Sequence, residues 1–511
     1  FDIGWKPNFE VRKRDFTRNY YLAIQRLSKN ASEIIVASVD YNEKVPIMEN
    51  RIIKIVKIGE FIDDILDNKK PISNIKVPCF NKKGKISFKK LKKAIRHKMS
   101  EDLYELSLEY GRKIKLTSSH NVFKYEKGKI NLSKTTNLKI GNEIFCPNSL
   151  PNSNEIIKEI NLLDLINVKK IKDLYISGKD VSQIMKQRVF SKERKKYPNN
   201  NLRVIINKFG VQKLKNRREE LKLSTKKASE KINLSQPLIV LWENQKRNPS
   251  LSNLRMYLKM LNLNSKSFLN KYCKIINSSF NNLLKHVYKN QYKEFSNFNR
   301  ATLPLHDLKE EEIKKIKSGF IYGSKNKRNK LPIKLELSKE LVRLMGYFLA
   351  EGDINNNYRI RFSLGLRGYG HEEKIISEIE EFCKKYGLQC NHYIHKKIKH
   401  QIITIDNAVL ALFFKYIFQF GNRAINKRVP LIIFNLAPEL KKEFLRAYFL
   451  GDGSINERNI AFNSNSPDLI NDLSYLNLQL GIIGGISKTF SKTSKSKNPT
   501  WRFTISKDLK K

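Results

Sequence analysis

Acidic residues are scarce in this chain of 511 residues: 49 Asp and Glu face 99 Lys and Arg, a formal net charge of +50. The cationic excess runs along the whole sequence instead of gathering in a tail, which points to a polyanionic partner, most simply nucleic acid. Cysteine is equally thin. Cys79, Cys146, Cys273, Cys383 and Cys390 form an odd set without framework spacing, which excludes a disulfide-stapled scaffold and fits a reducing, cytoplasmic setting. No apolar run reaches the roughly 20 residues of a membrane span; the nearest, Val409 to Phe420, is broken by Lys415. No signal-like stretch opens the sequence, so no membrane partner is expected. An initiator Met is also missing and the text stops on Lys510-Lys511, as expected of a piece of a longer product. The length predicts roughly three or four domains.

What is present begins with a repeat. Leu344-Met-Gly-Tyr-Phe-Leu-Ala-Glu-Gly352 is echoed by Leu445-Arg-Ala-Tyr-Phe-Leu-Gly-Asp-Gly453, with a constant offset of 101 between Gly346 and Ala447, Ala350 and Gly451, and Glu351 and Asp452. Small residues four apart share one helix face and let two helix backbones approach closely. Packed on each other, the two copies set Glu351 and Asp452 side by side at one end. The Gly after each acid is expected to stop its helix in the left-handed conformation. Two carboxylates at helix C-termini oppose the dipole and repel each other, an arrangement stabilised by a divalent cation, for which Mg²⁺ is the natural candidate.

Both copies resemble the LAGLIDADG motif of homing endonucleases, with Glu351 and Asp452 at the metal-binding acid position; the second keeps Gly-Asp-Gly and the first has Glu for Asp. Asn426-Lys-Arg-Val-Pro430 resembles the Lys-x-x-Pro stretch of the same family, which gives Lys427 a role near the scissile phosphate. The resemblance implies metal-dependent hydrolysis of double-stranded DNA by a monomer with an internal pseudo-two-fold.

From Ser38 to about Pro151 short strands alternate with turn signals, an all-β pattern. Ser38 followed by Val39, then Thr117-x-x-His120, then a strand containing Leu138-x-x-Gly-Asn142, resembles the N-terminal half of a Hint (hedgehog/intein) splicing domain, with Asn142 departing from Asp. The resemblance implies that the Ser38 hydroxyl attacks the preceding carbonyl, breaking the Ala37–Ser38 amide. His120 would protonate the leaving nitrogen and Thr117 would steady the junction. The host protein flanks would be the substrate. A C-terminal His-Asn pair is absent by Lys511, so completing splicing is expected to need sequence beyond it. Residues 1–37, a helix running into the strand Glu33-Ile-Ile-Val-Ala37, resemble the Toprim region of archaeal topoisomerase I and are read as host flank.

Between these regions, residues 152–210 read as a basic helical linker, and residues 264–335 as a second linker. Residues 211–263 hold three short helix patterns, the later two opening at Ser224 and Ser235 and the last ending in Trp242-Glu-Asn244. They resemble a Cro-repressor type of helix-turn-helix, which would present Gln236 to an adenine edge, although Pro237, Leu238, Val240 and Leu241 are unusually apolar for base readout.

In residues 336–511, the strand Tyr358-Arg-Ile-Arg-Phe-Ser-Leu364 alternates, placing Arg359, Arg361 and Ser363 on a polar face suited to a DNA groove. Cys390, His392, His395 and His400 lack a second ligand pair at metal spacing, so a plain strand is expected there. The fold class expected is thus multidomain: an all-β Hint half-domain, an all-α helix-turn-helix, and an α+β pseudo-dimeric LAGLIDADG endonuclease. The function expected is an intein carrying a homing endonuclease that cuts the host-gene site lacking the insertion. The alternative is a DNA-binding regulator with a degenerate nuclease centre.

Overall fold

The computed structural model describes residues 39–81, 85–96, 102–153, 155–165, 174–196, 202–277, 302–323, 329–356, 358–366, 371–395, 397, 399–418, 424–490 and 499–506. The expected helix and strand of residues 1–37, and Ser38 itself, lie outside these residues. Two compact units divide the chain, one formed by residues 1–166 with 326–511 and the other by residues 167–325.

The first unit opens with a four-stranded antiparallel sheet. Strands β1 (Lys44–Glu49) and β2 (Ile52–Lys57) form a hairpin, and β3 (Ile75–Phe80) and β4 (Ile86–Lys90) extend the sheet beyond β1. The hairpin turns on Asn50 and Arg51, both at positive φ, the geometry that matches strand twist in a two-residue loop. Helix α1 (Ile58–Leu66) closes one face, burying Ile58, Phe61 and Ile65 against Val45, Ile47, Ile75 and Val77.

Next come the pair β5 (Leu103–Ser107) and β6 (Lys113–Thr117), and the set β7 (Asn121–Glu126), β8 (Lys129–Lys134) and β9 (Glu143–Ile144). Leu138–Asn142 is a turn, not the expected strand. Gly141 sits at φ +89°, and the Asn142 side chain accepts the Lys139 N–H at 3.0 Å, so the polar residues satisfy each other locally.

Strand β10 (Glu159–Asn161) follows, and then the second unit. There β11 (Leu174–Ser177) precedes helix α2 (Lys179–Lys196), and β12 (Leu202–Ile206) pairs with the distant β13 (Cys273–Asn277). Between β12 and β13 lie helices α3 (Lys208–Glu220), α4 (Thr225–Lys231), α5 (Gln236–Glu243), α6 (Leu251–Met260) and α7 (Ser265–Tyr272). Asn207, Ser224, Ser250 and Asn264 each cap a helix by accepting a backbone N–H. Ser235 precedes α5 without a side-chain cap bond. Val204 and Ile206 share the helices' core with Leu214, Ile239, Trp242 and Tyr257. The Arg218 guanidinium makes two 2.8 Å bonds to Glu243, which also accepts the Tyr257 hydroxyl at 2.6 Å. Strands β14 (Thr302–Pro304) and β15 (Phe320–Gly323) flank β11. The two stretches expected as linkers therefore carry paired strands. Their partners lie far away in sequence, beyond the reach of local pattern.

The chain returns to the first unit through β16 (Lys334–Glu336), which pairs with β10. Two equivalent halves follow. The first runs α8 (Lys339–Glu351), β17 (Gly352–Asn355), β18 (Arg359–Gly365), α9 (His371–Tyr386), β19 (Cys390–His395), β20 (His400–Asp406) and α10 (Ala408–Phe418). The second runs α11 (Pro438–Asp452), β21 (Gly453–Ile455), β22 (Asn459–Ser464), α12 (Pro467–Gln479), β23 (Gly485–Thr489) and β24 (Thr500–Ser506). Each sheet has the same order, with the hairpin partner of the long strand on one side and the last two strands on the other. The apolar stretch around Val409 forms buried α10, and among the described residues no helix is long and apolar enough to cross a membrane.

The opening sheet and the second half are welded together. Buried Asn435 mimics a strand edge: its side chain accepts the Ile53 N–H at 2.7 Å and donates to the Ile53 carbonyl at 2.9 Å. Tyr475 donates to the Lys44 carbonyl at 3.0 Å, and the fully buried Lys441 reaches Asn152. Asn435→Ala strands both polar groups of Ile53 away from water and is expected to lower stability by about 1–3 kcal/mol, read as a shifted urea midpoint with an unchanged slope.

Candidate active centres

Close approach of α8 and α11 sets the geometry of the first centre. A Cβ built on Gly346 would lie 2.7 Å from the Ala447 Cβ and 2.7 Å from the Phe444 carbonyl oxygen, and one on Gly451 would lie 2.5 Å from the Ala350 Cβ and 3.2 Å from the Glu351 Cγ. The small residues of each copy thus pack reciprocally on those of the other, the mark of a two-fold contact. Both helices end on their acid.

Gly352 and Gly453 do not stop the helices in the left-handed conformation: they lie at φ −95° and −88° in extended backbone. Glycine is required there for space. A Cβ at Gly352 would meet the Phe348 ring at 2.4 Å, and one at Gly453 would meet the Phe449 ring at 2.3 Å. Each chain therefore passes from helix to strand without an intervening turn, which holds the carboxylate at the junction.

Lys427 joins the acids. Its Nζ donates to the Ala350 carbonyl at 2.7 Å, capping the C-terminus of α8 where the helix dipole favours a cation. Burial lowers the Lys427 pKa, against the attraction of Asp452 and Glu351. Its segment is fixed on both sides. The Arg428 guanidinium pairs with the fully buried Asp472, which also accepts the Val429 N–H at 3.2 Å, and Ser466 donates to the Lys427 carbonyl at 2.8 Å.

Burial pushes the Asp452 carboxyl up from 3.8 to about 6, opposed by the neighbouring Lys427 and Tyr448. Tyr448 is fully buried and its hydroxyl donates to the Asn463 carbonyl at 2.7 Å. Asn463 in turn donates to the Asp452 carbonyl at 3.0 Å and to Ser454 at 3.2 Å, while its Oδ1 is buried without a hydrogen-bond partner. Neither Tyr448 nor Asn463 stands out in the sequence as a site residue. The only signal is that Tyr448 lies in the repeat, where its counterpart Tyr347 bonds Glu378 instead.

On β18, exposure alternates as the sequence predicts: Ile360, Phe362 and Leu364 are buried, and Arg359, Arg361 and Ser363 take the opposite face. Both arginines are already engaged, Arg359 with Asp406 at 2.5 and 2.9 Å and Arg361 with Asp353 at 2.9 Å. Cys390, His392, His395 and His400 lie on the plain strands β19 and β20, where His392 meets Gln401 and His395 stacks on His400. Among the described residues no group of three or more His, Cys, Asp or Glu is placed to hold a metal ion. In the second unit, Gln236 opens α5 on an exposed face and donates to Thr225 Oγ1 at 3.1 Å, tying α5 to α4.

A second centre lies at the end of β6. Val39 forms an antiparallel bridge with Leu116, and the Asp40 N–H donates to the Lys115 carbonyl at 3.0 Å. Thr117 is the last residue of β6, and its hydroxyl is buried without a hydrogen-bond partner. The His120 N–H donates to the Thr117 carbonyl at 3.1 Å, and Thr135 donates to the His120 carbonyl through both its N–H (2.8 Å) and its hydroxyl (3.0 Å). Thr117 and His120 are thereby held in one tight turn.

Residues 46–341, more than half of the chain, match the model of the intein splicing domain, and residues 439–511 match that of a LAGLIDADG-like domain. The chain belongs to the intein splicing family and carries a LAGLIDADG-like region. It is 25% identical over 516 residues to a DNA polymerase of Thermococcus litoralis, a match covering 94% of this chain and 27% of the polymerase. It is 36% identical over 132 residues to transcription initiation factor IIB of Methanocaldococcus jannaschii, covering 24% of this chain and 20% of the factor. The chain spans about a quarter of the length of the first curated relatives it matches.

Among solved structures, a mini-intein of transcription factor IIB (30% identity, TM-score 0.20) covers 23% of this chain and 72% of its own. The homing endonuclease I-DmoI, crystallised with DNA and Mn (11% identity, TM-score 0.26), covers 33% of this chain and 90% of its own.

The raised pKa of Asp452 has a defined sign. The folded chain holds that proton to higher pH than the unfolded chain does, so the contribution is most favourable below 3.8 and is lost as pH rises towards about 6. In metal-free buffer, thermal unfolding of the wild type measured against Asp452→Asn is expected to show the wild type losing relative stability across this window, with a flat difference below it.

Proposed function

We propose that the chain is an intein with two activities: a double-strand DNA homing endonuclease centred on Glu351, Asp452 and Lys427, and the first acyl shift of protein splicing at Ser38. The observation that carries the nuclease reading is the convergence of two carboxylates and a buried lysine where α8 and α11 end. Two acids with, among the described residues, no third His, Cys, Asp or Glu grouped beside them suit Mg²⁺, which retains most of its water and seldom takes a full protein cage. Glu351 and Asp452 would hold such an ion, which would supply Lewis-acid chemistry and an activated water. The chain's own part is to bring the two carboxyl groups together where α8 and α11 end and to hold Lys427 beside them. Lys427 then offsets charge developing on the scissile phosphate.

The DNA would lie across the strands that bear Arg359, Arg361 and Ser363. Because both arginines are paired, phosphate contact there exchanges one anionic partner for another. Helices α3 to α6 would form a second, basic contact of helix-turn-helix type with Gln236 leading α5, so the target is long double-stranded DNA. For splicing, Thr117 offers an unspent buried hydroxyl one step beyond the Val39–Leu116 bridge, and His120 shares its turn. Residues 1–37 and whatever follows the intein in its host are the substrate flanks.

The nuclease is tested on a plasmid carrying the uninterrupted form of the gene whose flank encodes residues 1–37. With Mg²⁺ present, Glu351→Gln and Asp452→Asn are each expected to reduce double-strand cutting by at least ~10²-fold while retaining gel-shift binding. Lys427→Met is expected to slow cutting without abolishing binding. Undiminished cutting by either acid variant would sink the assignment, and binding without any cutting by the wild type would leave a DNA-binding regulator.

A further inference from the structure

The segment that leads away from Ser38 is held to β6 in an unusual way. The bridge between Val39 and Leu116 sets an antiparallel register whose next pair is Asp40 with Lys115. In a regular ladder such a pair exchanges two bonds, N–H to carbonyl in each direction. Only one of them forms between the main chains, from the Asp40 N–H to the Lys115 carbonyl at 3.0 Å. The Asp40 carbonyl has turned away to accept the Glu43 N–H at 3.0 Å, in a turn that the Asp40 side chain reinforces by accepting the Asn42 N–H at 2.9 Å. The Lys115 N–H is therefore left without its ladder acceptor. The Glu43 side chain supplies one, its Oε1 accepting from Lys115 at 2.9 Å. A carboxylate has replaced a main-chain carbonyl, and it does so two residues from Thr117.

We propose that Glu43 is a positioning residue for the acyl shift: its bond to Lys115 locks the Val39–Leu116 register and so delivers the junction to Thr117 and His120. This rests on the splicing reading above. The geometry explains why a side chain is used. The chain must leave β6 at once to enter β1, so the main chain cannot supply a second bond. A slip of one residue would turn Val39 and its neighbours to the opposite face, because side chains alternate along a strand. Glu43 is half-buried, and burial raises its pKa, so what the position requires is a hydrogen-bond acceptor of the right reach more than a charge. Gln meets that requirement, Asp is one methylene too short, and Ala lacks the acceptor.

In the step concerned, the Ser38 oxygen bonds to the Ala37 carbonyl carbon and the Ala37–Ser38 C–N bond breaks. The hydroxyl proton ends on the departing nitrogen, giving an ester and a free amine. Added hydroxylamine then attacks the ester, the C–O bond breaks, the Ser38 hydroxyl is restored, and residues 1–37 leave as a C-terminal hydroxamate. The experiment follows that release by mass spectrometry from the full 511-residue chain.

The wild type is expected to release the fragment and Ser38→Ala to release none. Glu43→Ala and Glu43→Asp should each slow release by roughly tenfold, the scale of a misplaced reacting group, while Glu43→Gln stays within about twofold of wild type. Thermal midpoints of the variants are expected to match the wild type, separating register from folding. Wild-type rates in both Ala and Asp variants would overturn the positioning role, as would a Gln variant as slow as Ala. A wild-type chain that releases nothing, or Ser38→Ala releasing normally, would overturn the acyl-shift reading itself and the role of Glu43 with it.

Discussion

The constraint on which the nuclease-like region depends is the near-contact of two helix backbones. Gly346 against Ala447, and Gly451 against Ala350, leave no room for even one added carbon. That closeness brings two helix C-termini, each ending in an acid, to one place. It would be electrostatically costly by itself, since both the dipoles and the charges repel. Lys427 offsets part of that cost by reaching the Ala350 carbonyl, and the proton that Asp452 holds to higher pH relieves part of the repulsion. Charge networks alongside the seam hold it shut. Glu378 of α9 accepts both the Tyr347 hydroxyl from α8 and the Arg446 guanidinium from α11, and Arg343 pairs with Glu443.

Much of this was legible in the sequence because it is written locally and twice. The constant offset between the copies predicted the helix pair, and strict alternation from Arg359 to Leu364 predicted which face of β18 is buried. What escaped was of three kinds. The strands within residues 152–210 and 264–335 pair across long separations, as β12 does with β13 and β10 with β16, and no window of sequence contains both partners. Asn435 reads as a loop residue until the Ile53 edge that it satisfies is beside it. The glycines after the acids were expected for the right position and the wrong reason. Sequence statistics credit Gly with conformational freedom, whereas here the phenylalanine rings at 348 and 449 leave no space for a side chain.

The splicing sheet and the LAGLIDADG-like helices form one compact unit although they are remote in sequence. Their joint uses polar groups that neither part could leave buried alone: the Asn435 amide, the Lys441 ammonium, the Ile53 backbone. A buried polar group with a satisfied partner costs little, while the same group without its partner is expensive. Such a joint penalises separation more than it rewards association. Removing the nuclease-like region from this chain would thus expose more than apolar surface, and a stable shortened form would need compensating changes at those positions.

The two proposed centres meet the same problem in opposite ways. In a chain with twice as many cations as anions, an acid is readily paired, and Arg359 and Arg361 show how completely pairing absorbs charge at the surface. Asp452 is instead half-buried at the tight helix seam, with Lys427 as a neighbouring cation whose charge burial weakens. The proposed splicing centre has a neutral buried hydroxyl, that of Thr117, without a partner. In the proposed chemistry the Asp452 carboxylate would face a cation and the Thr117 hydroxyl a developing oxyanion. Backbone geometry places both groups, a helix end for Asp452 and a strand end for Thr117.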